Sequence, residues 1–262
     1  MTDKAGSRAG FADHFSRDPV AYAKFRPRYP ETLFTWLATL PEQRRLAWDC
    51  ATGSGQAAVP LSRHFDLVLA SDASRGQLRS AERAPRVRYW AGLGEASPLR
   101  SRSIDLITVA QAMHWLDPAA FTVEAGRVLS PGGALAVWGY EMLRMDGPVG
   151  RAMTRFYTGT VGPYWPPERS IVEEGFRSVS LPILEAISPP LAMEAELTLD
   201  ALAGYVRTWS AVGRYITAHA RDPVEELVEE LRPIWGSPEH ARTVRWPLAI
   251  RAGRWIDGQG RA

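Results

Sequence analysis

Apolar positions in the first half of the chain fall into short runs without strict in–out alternation, separated by stretches of helical spacing. Leu46–Asp49 is such a run and ends at Ala51-Thr52-Gly53-Ser54-Gly55. Gln56–Phe65 reads as a helix, with Val59 and Leu61 on its apolar side. Leu67–Ala70 is a second strand, running into Ser71-Asp72, and Arg75–Ala84 has helical composition. Val87–Trp90 and Ile104–Ala110 are the third and fourth strands. Asp117-Pro118 predicts a helix start, an N-cap acid followed by proline at the first helical position. That helix carries Phe121, Ala125, Val128 and Leu129 on one face and is stopped by Ser130-Pro131-Gly132-Gly133, before a fifth strand, Ala134–Trp138. Runs without in–out alternation suit a parallel sheet covered on both faces. Repeated βα units with short links imply right-handed crossovers and an α/β, doubly wound architecture.

After Trp138 the pattern changes. Gly147-Pro148, Gly162-Pro163, Pro166-Pro167 and Pro189-Pro190 interrupt the chain. Leu199–Ser210 and Pro223–Leu231 read as helices, the second with Asp222 as N-cap, and Thr243–Arg251 as a final strand. No linker composition separates the halves, so residues 1–262 are expected to form one domain. Its core is 45–140, with an N-terminal cap segment 1–40 and with cap and last strands in 141–262.

Composition narrows the function classes. Thirty-one basic residues against 29 acidic ones leave a net charge of +2, which gives no electrostatic case for nucleic acid or a membrane surface. Cys50 is the single cysteine, which excludes an internal disulfide or a cysteine-only metal site and fits a reducing cytoplasm. The polar stretch Met1–Pro19 predicts no signal peptide, and no run of about 20 apolar residues predicts a membrane span.

The chemistry concentrates after the first strand. In Asp49-Cys50-Ala51-Thr52-Gly53-Ser54-Gly55 the glycines permit a tight turn and close approach of a ligand. A glycine pair alone equally describes an empty strand-to-helix loop. Asp72 adds to it, since an acid about 20 residues past the loop can accept hydrogen bonds from both hydroxyls of a ribose. Gly55 is followed by Gln56-Ala57-Ala58, which breaks the full dinucleotide fingerprint, and Asp49 would repel a pyrophosphate but attract a sulfonium and an ammonium group. A nicotinamide-dependent oxidoreductase and a non-catalytic cofactor-binding module remain the competing readings.

Three blocks carry a resemblance: Asp49–Gly55, Leu69–Asp72 and Ser103–Gly139, the last with Ile104-Asp105-Leu106-Ile107 and Arg127-Val128-Leu129-Ser130-Pro131-Gly132-Gly133. Together they resemble the class I S-adenosylmethionine-dependent methyltransferases of the type-11 group. Shorter segments, Tyr22–Pro30, Gln111–Trp115, Tyr164-Trp165-Pro166 and Thr208-Trp209-Ser210, are similar to the subgroup of fungal trans-aconitate methyltransferase. The resemblance implies a mostly parallel, seven-stranded Rossmann-like sheet with helical cap elements, S-adenosyl-L-methionine as cofactor, and a small molecule as methyl acceptor. Two departures stand out. Ala51 replaces the usual loop glycine and keeps the turn if its φ stays negative. Leu93 stands where many relatives place an acid for the adenine, so backbone groups near Gly94 and Glu95 are expected to replace it.

The implied cofactor set is Tyr22, Arg26, Asp49, Ala51, Gly53, Gly55, Asp72, Ala73, Gly94, Glu95 and Gln111. His114 follows the fourth strand and is the candidate base or acceptor-orienting group, with Trp115, Trp165 and Trp209 as candidate acceptor contacts. The plain alternatives are a hydrogen-bonded loop histidine and core tryptophans. Tyr22, Arg26 and Tyr29 lie in the segment that folds over the cofactor in the resembled group, where an arginine suits a carboxylate. The other histidines, His14, His64, His219 and His240, lack metal-ligand spacing. An ionised carboxylate acceptor needs no base, whereas a phenol or alcohol does.

Overall fold

The computed structural model describes residues 27–256. Its strands are β1 (Leu46–Cys50), β2 (Leu67–Asp72), β3 (Val87–Ala91), β4 (Ile104–Ala110), β5 (Leu129–Tyr140), β6 (Ile183–Glu185), β7 (Ala192–Leu197) and β8 (Arg242–Trp255). The helices are α1 (Glu31–Leu37), α2 (Ala58–Leu61), α3 (Arg75–Ser80), α4 (Pro118–Val128), α5 (Gly147–Arg155), α6 (Ser170–Glu173), α7 (Leu199–Arg207), α8 (Ser210–His219) and α9 (Pro223–Trp235).

Seven strands lie in the order β3-β2-β1-β4-β5-β8-β6, with β7 added against the first half of β8. Strands β1 to β5 are mutually parallel; β8 runs antiparallel to β5, and β6 to β8. Central β4 is buried along almost its whole length, which is why its sequence lacks in–out alternation, and its two polar side chains, Asp105 and Thr108, are both hydrogen-bonded. Side chains of β5 divide between the two faces. Ala134, Ala136 and Trp138 join the core that includes α1 and the helices after β5. Leu135 and Val137 join the core that includes α4. At the N-terminal edge of the sheet the buried Asp105 accepts from Arg45 N (2.9 Å), Leu46 N (3.1 Å) and Ser130 Oγ (2.9 Å), fixing how β1, β4 and β5 start together.

The helix caps follow the sequence. Asp117 accepts from Ala119 N and Ala120 N at the start of α4, and Asp222 accepts from Val224 N at the start of α9. Other boundaries differ. The helix expected over Gln56–Phe65 shrinks to the single turn α2, which contains Pro60, a residue without an N–H. The one expected over Arg75–Ala84 ends at Ser80, because Ala81 turns extended and Glu82 N is taken by Ser54 O (3.0 Å). Ser130–Gly133 is the bulged beginning of β5, where the register slips between the Ile104–Leu129 and Leu106–Ala134 pairs. Leu199–Ser210 is α7 followed by the start of a further helix, α8.

The backbone of Ala51 corrects an expectation. Its φ is +55°, in the left-handed region, whereas a negative φ was anticipated. The turn out of β1 demands that conformation, and alanine adopts it against the clash of its Cβ. Relief of that clash, roughly 1–2 kcal/mol, exceeds the extra unfolded-state freedom of glycine, roughly 0.4–1 kcal/mol. Ala51→Gly is therefore expected to stabilise the ligand-free protein by about 0.5–1 kcal/mol, read as a higher midpoint in urea with unchanged slope. A lower midpoint would contradict the strain.

Candidate functional site

The sheet reverses its winding between β1 and β4, since β1 pairs with β2 on one side and β4 on the other. In open α/β sheets ligands bind outside the C-terminal ends of the strands at such a point. Asp49 lies there, fully buried. One carboxylate oxygen accepts from Thr52 Oγ1 (2.5 Å) and the other from Thr108 Oγ1 (2.7 Å) on β4. Burial pushes its carboxyl up to about 6 despite these hydrogen bonds, and the nearby Asp72 adds to the rise.

The loop after β1 is tied to the end of β2. Thr52 N donates to Ser71 O and Gly53 N to Asp72 Oδ2, both at 2.8 Å, while Ser74 N donates to Asp72 Oδ1, also at 2.8 Å. These bonds fix the orientation of the Asp72 carboxylate at the mouth of the loop. Gly53 (φ +58°) and Gly55 (φ +88°) both require the left-handed region. A Cβ at Gly55 would collide with Tyr89 Oη, and one at Gly94 would lie 2.6 Å from Cys50 Sγ. Gly94 thus lets the chain after β3 settle directly on β1. Glu95 accepts from Asp117 N (3.0 Å) and fastens that segment to the start of α4, and Ala73 follows Asp72 half-buried. Leu93 is exposed. The residues from β1, β2 and the β3–α4 connection therefore form one cradle.

The fourth wall follows β4. Gln111 also has a positive φ (+54°). Its N donates to Trp138 O (2.7 Å), and its side-chain Oε1 accepts from Tyr140 N (2.9 Å), bridging the ends of β4 and β5. His114 and Trp115 sit in the 3-10 turn Met113–Trp115, with ring centroids 4.6 Å apart. The His114 Nδ1 is buried with no hydrogen-bond partner among the described residues. Burial first, then the Arg169 charge, pull its imidazole down to about 4.

Trp165 and Trp209 come together with ring centroids 5.6 Å apart, in an aromatic cluster with Phe156, Tyr157 and Tyr205. Trp209 is buried there and Trp165 only partly. Sequence reasoning missed Tyr157, Arg169 and Glu173, which join this cluster to the β4 edge; no motif marks them, although Arg169 follows the noted Trp165-Pro166 closely. Tyr22 and Arg26 lie outside the described residues. Tyr29 is buried, edge-on to Trp138 at 5.6 Å.

A methyltransferase domain family matches residues 48–137. A Dictyostelium discoideum protein provisionally named a methyltransferase is 31% identical over 235 residues, covering 88% of this chain and 89% of that protein. An uncharacterised methyltransferase of Mycobacterium tuberculosis is 37% identical over 134 residues, 50% of this chain and 54% of its own length. A solved structure from Anaeromyxobacter dehalogenans, provisionally named a type II methyltransferase, superposes with a TM-score of 0.84 at 43% identity, covering 88% of this chain and 98% of that one.

The buried Asp49 carries a stability signature. Its folded carboxyl, at about 6, holds a proton better than the unfolded one at 3.8. The contribution to stability is therefore fully present below about pH 4 and lost as pH rises through 6, a cost near neutrality on the order of 3 kcal/mol. Asp49→Asn is expected to raise the melting temperature of the ligand-free protein at neutral pH and to flatten its decline between pH 4 and 6. An unchanged decline in the variant would assign it to other groups.

Proposed function

We propose that this chain, which belongs to the methyltransferase family, transfers a methyl group from S-adenosyl-L-methionine to a small-molecule acceptor, at a carboxylate oxygen. The observation that carries the cofactor reading is the pair of acids flanking one glycine loop, Asp49 buried beneath it and Asp72 holding its Gly53 amide. The cradle fits the cofactor chemically. Asp72 suits ribose hydroxyls, Asp49 favours a cationic ligand above the loop, and Gly53 and Gly55 leave the backbone open to close approach. Gln111, whose carbonyl is committed to Tyr140, offers its amide N–H groups to the amino-acid end, and Gly94 and Glu95 offer backbone groups to the base. A pyrophosphate beside Asp49 meets like charge, which disfavours the nicotinamide alternative.

When bound, the cofactor supplies a methyl group already activated by its sulfonium charge. The chain's own part is then to hold the acceptor in line and exclude water. His114 is neutral at physiological pH and, with its affinity for protons pulled down to about 4, is a poor base for a phenol or alcohol. It suits a donor role instead, an imidazole N–H orienting an acceptor oxygen that is already ionised. That favours a carboxylate, as does the resemblance to the trans-aconitate subgroup. The partly buried Trp165 and the three-residue turn around His114 supply adjoining acceptor walls.

Two measurements test this. Asp72→Ala is expected to weaken S-adenosylhomocysteine binding by about 1.5–3 kcal/mol in calorimetry while the fold survives; unchanged affinity would remove Asp72 from the site. With di- and tricarboxylates set beside phenolic and hydrophobic acceptors, S-adenosylhomocysteine release is expected from the carboxylates. The rate should show no rise near pH 6–7 attributable to a histidine base. Turnover confined to the apolar set would sink the carboxylate reading and leave the family assignment standing.

A further inference from the structure

The segment between α5 and β6 brings a cation to the same sheet edge. Helix α6 packs against the end of β5: a Cβ at Gly139 would lie 2.7 Å from Gln111 Oε1 and 2.9 Å from Val172 Cγ1. Immediately before α6, the turn Pro167–Arg169 packs against the turn that holds His114. Arg169 is thereby carried from the cap to the β4 edge.

Its side chain is only 15% exposed, and it is built in with care on one side alone. The guanidinium lies 4.5 Å above the Trp165 ring and 5.7 Å from that of Tyr157. Arg169 Nε donates to Tyr157 Oη at 2.8 Å and lies 3.4 Å from Glu173 Oε1, while Tyr157 Oη donates to the same Glu173 oxygen at 2.5 Å. Both of Arg169's own polar contacts use Nε. The two terminal nitrogens take no hydrogen-bond partner among the described residues and are not sealed from solvent. The result is a rigid guanidinium whose fork stays open, beside an imidazole with an orphaned Nδ1. A planar pair of N–H donors matches the two oxygens of a carboxylate.

We propose that Arg169 is the carboxylate-recognition residue of the acceptor site, its fork held open by Trp165, Tyr157 and Glu173 to bind an acidic acceptor beside His114. This rests on the small-acceptor reading above and names the residue that selects the substrate class. Glu173 has a definite part in it. Contact through Nε alone fixes the orientation of the guanidinium without filling the fork, and the Trp165 face removes its freedom to swing.

The test uses succinate and citrate, with their neutral ethyl esters as controls, on the ligand-free protein. Binding is followed by calorimetry and by the His114 imidazole resonance, assigned through its loss in His114→Gln. Wild type is expected to bind the acids and not the esters. The acids should shift the His114 titration upward, because they offset the Arg169 charge that opposes protonation. Arg169→Lys keeps the cation and loses the fork; it and Arg169→Gln should each weaken acid binding at least tenfold while S-adenosylhomocysteine affinity holds. In turnover the loss should fall on KM more than on kcat. Equal binding of acids and esters, no binding by wild type, or undiminished binding by folded variants would overturn the proposal. Should a variant fail to fold, the wild-type comparison of acid and ester at His114 still decides. Failure of wild type to bind S-adenosylhomocysteine would overturn the cofactor reading alone.

Discussion

A carboxylate buried at the end of a central strand must be compensated, and the way Asp49 is compensated organises the edge of the sheet around it. Thr108 reaches it from β4 and Thr52 from the loop, so β1, β4 and the loop are drawn to a single point. The loop is then pinned to β2 through Asp72. Two hydroxyl donors do not fully offset burial, and the carboxyl remains well above its ordinary range. A site that is electrostatically unfinished in this way favours a positive ligand, and the energy withheld from folding becomes available to binding.

Other local costs collect at the same edge. Ala51 and Gln111 both adopt positive φ, one at the end of β1 and the other at the end of β4. The His114 Nδ1 is buried with no partner among the described residues. Each opposes folding, and each lies where the strands deliver the chain to the crevice. At the opposite edge Asp105 is fully used, with two backbone amides and a serine hydroxyl as donors. That edge has its own positive-φ residue, Arg102, just before β4, but its buried carboxylate is compensated, whereas the carboxylate at the β1 end is not.

How much of this was legible depends on whether the signal was local. The mostly apolar, non-alternating run Ile104–Ala110 reads as a covered strand, and Asp117-Pro118 states its own helix start. The β1 loop and Asp72 were readable because spacing along a βα unit fixes them in space. The lengths of α2 and α3 were not, since α3 is ended by Ser54 O capturing Glu82 N, a contact between segments 28 residues apart in sequence. The φ of Ala51 was not legible, because the turn out of β1 overrides alanine's own preference. Tyr22 and Arg26 lie outside the described residues, so their place in the cradle still rests on resemblance.

The acceptor side shows the limit most clearly. Trp165 and Trp209 were visible as aromatics, but the sequence could not say that Trp209 sinks into a cluster while Trp165 offers its face to Arg169. Arg169 itself is one of many arginines, and nothing in its neighbours distinguishes it from a solvated surface charge. What distinguishes it is a three-sided enclosure drawn from Tyr157, Trp165 and Glu173, spread over 17 positions of chain, and delivery of that enclosure to the turn of His114 by α6 packing on β5. The core of the proposed cofactor cradle, the β1 loop and Asp72, is encoded in one continuous βα unit and reads directly. The proposed acceptor half is assembled from cap segments whose meaning exists only once they are folded against the sheet. Differences in acceptor among proteins sharing this sheet would accordingly reside in segments like 156–173, where side chains can change without disturbing Asp49, Asp72 or the loop between them.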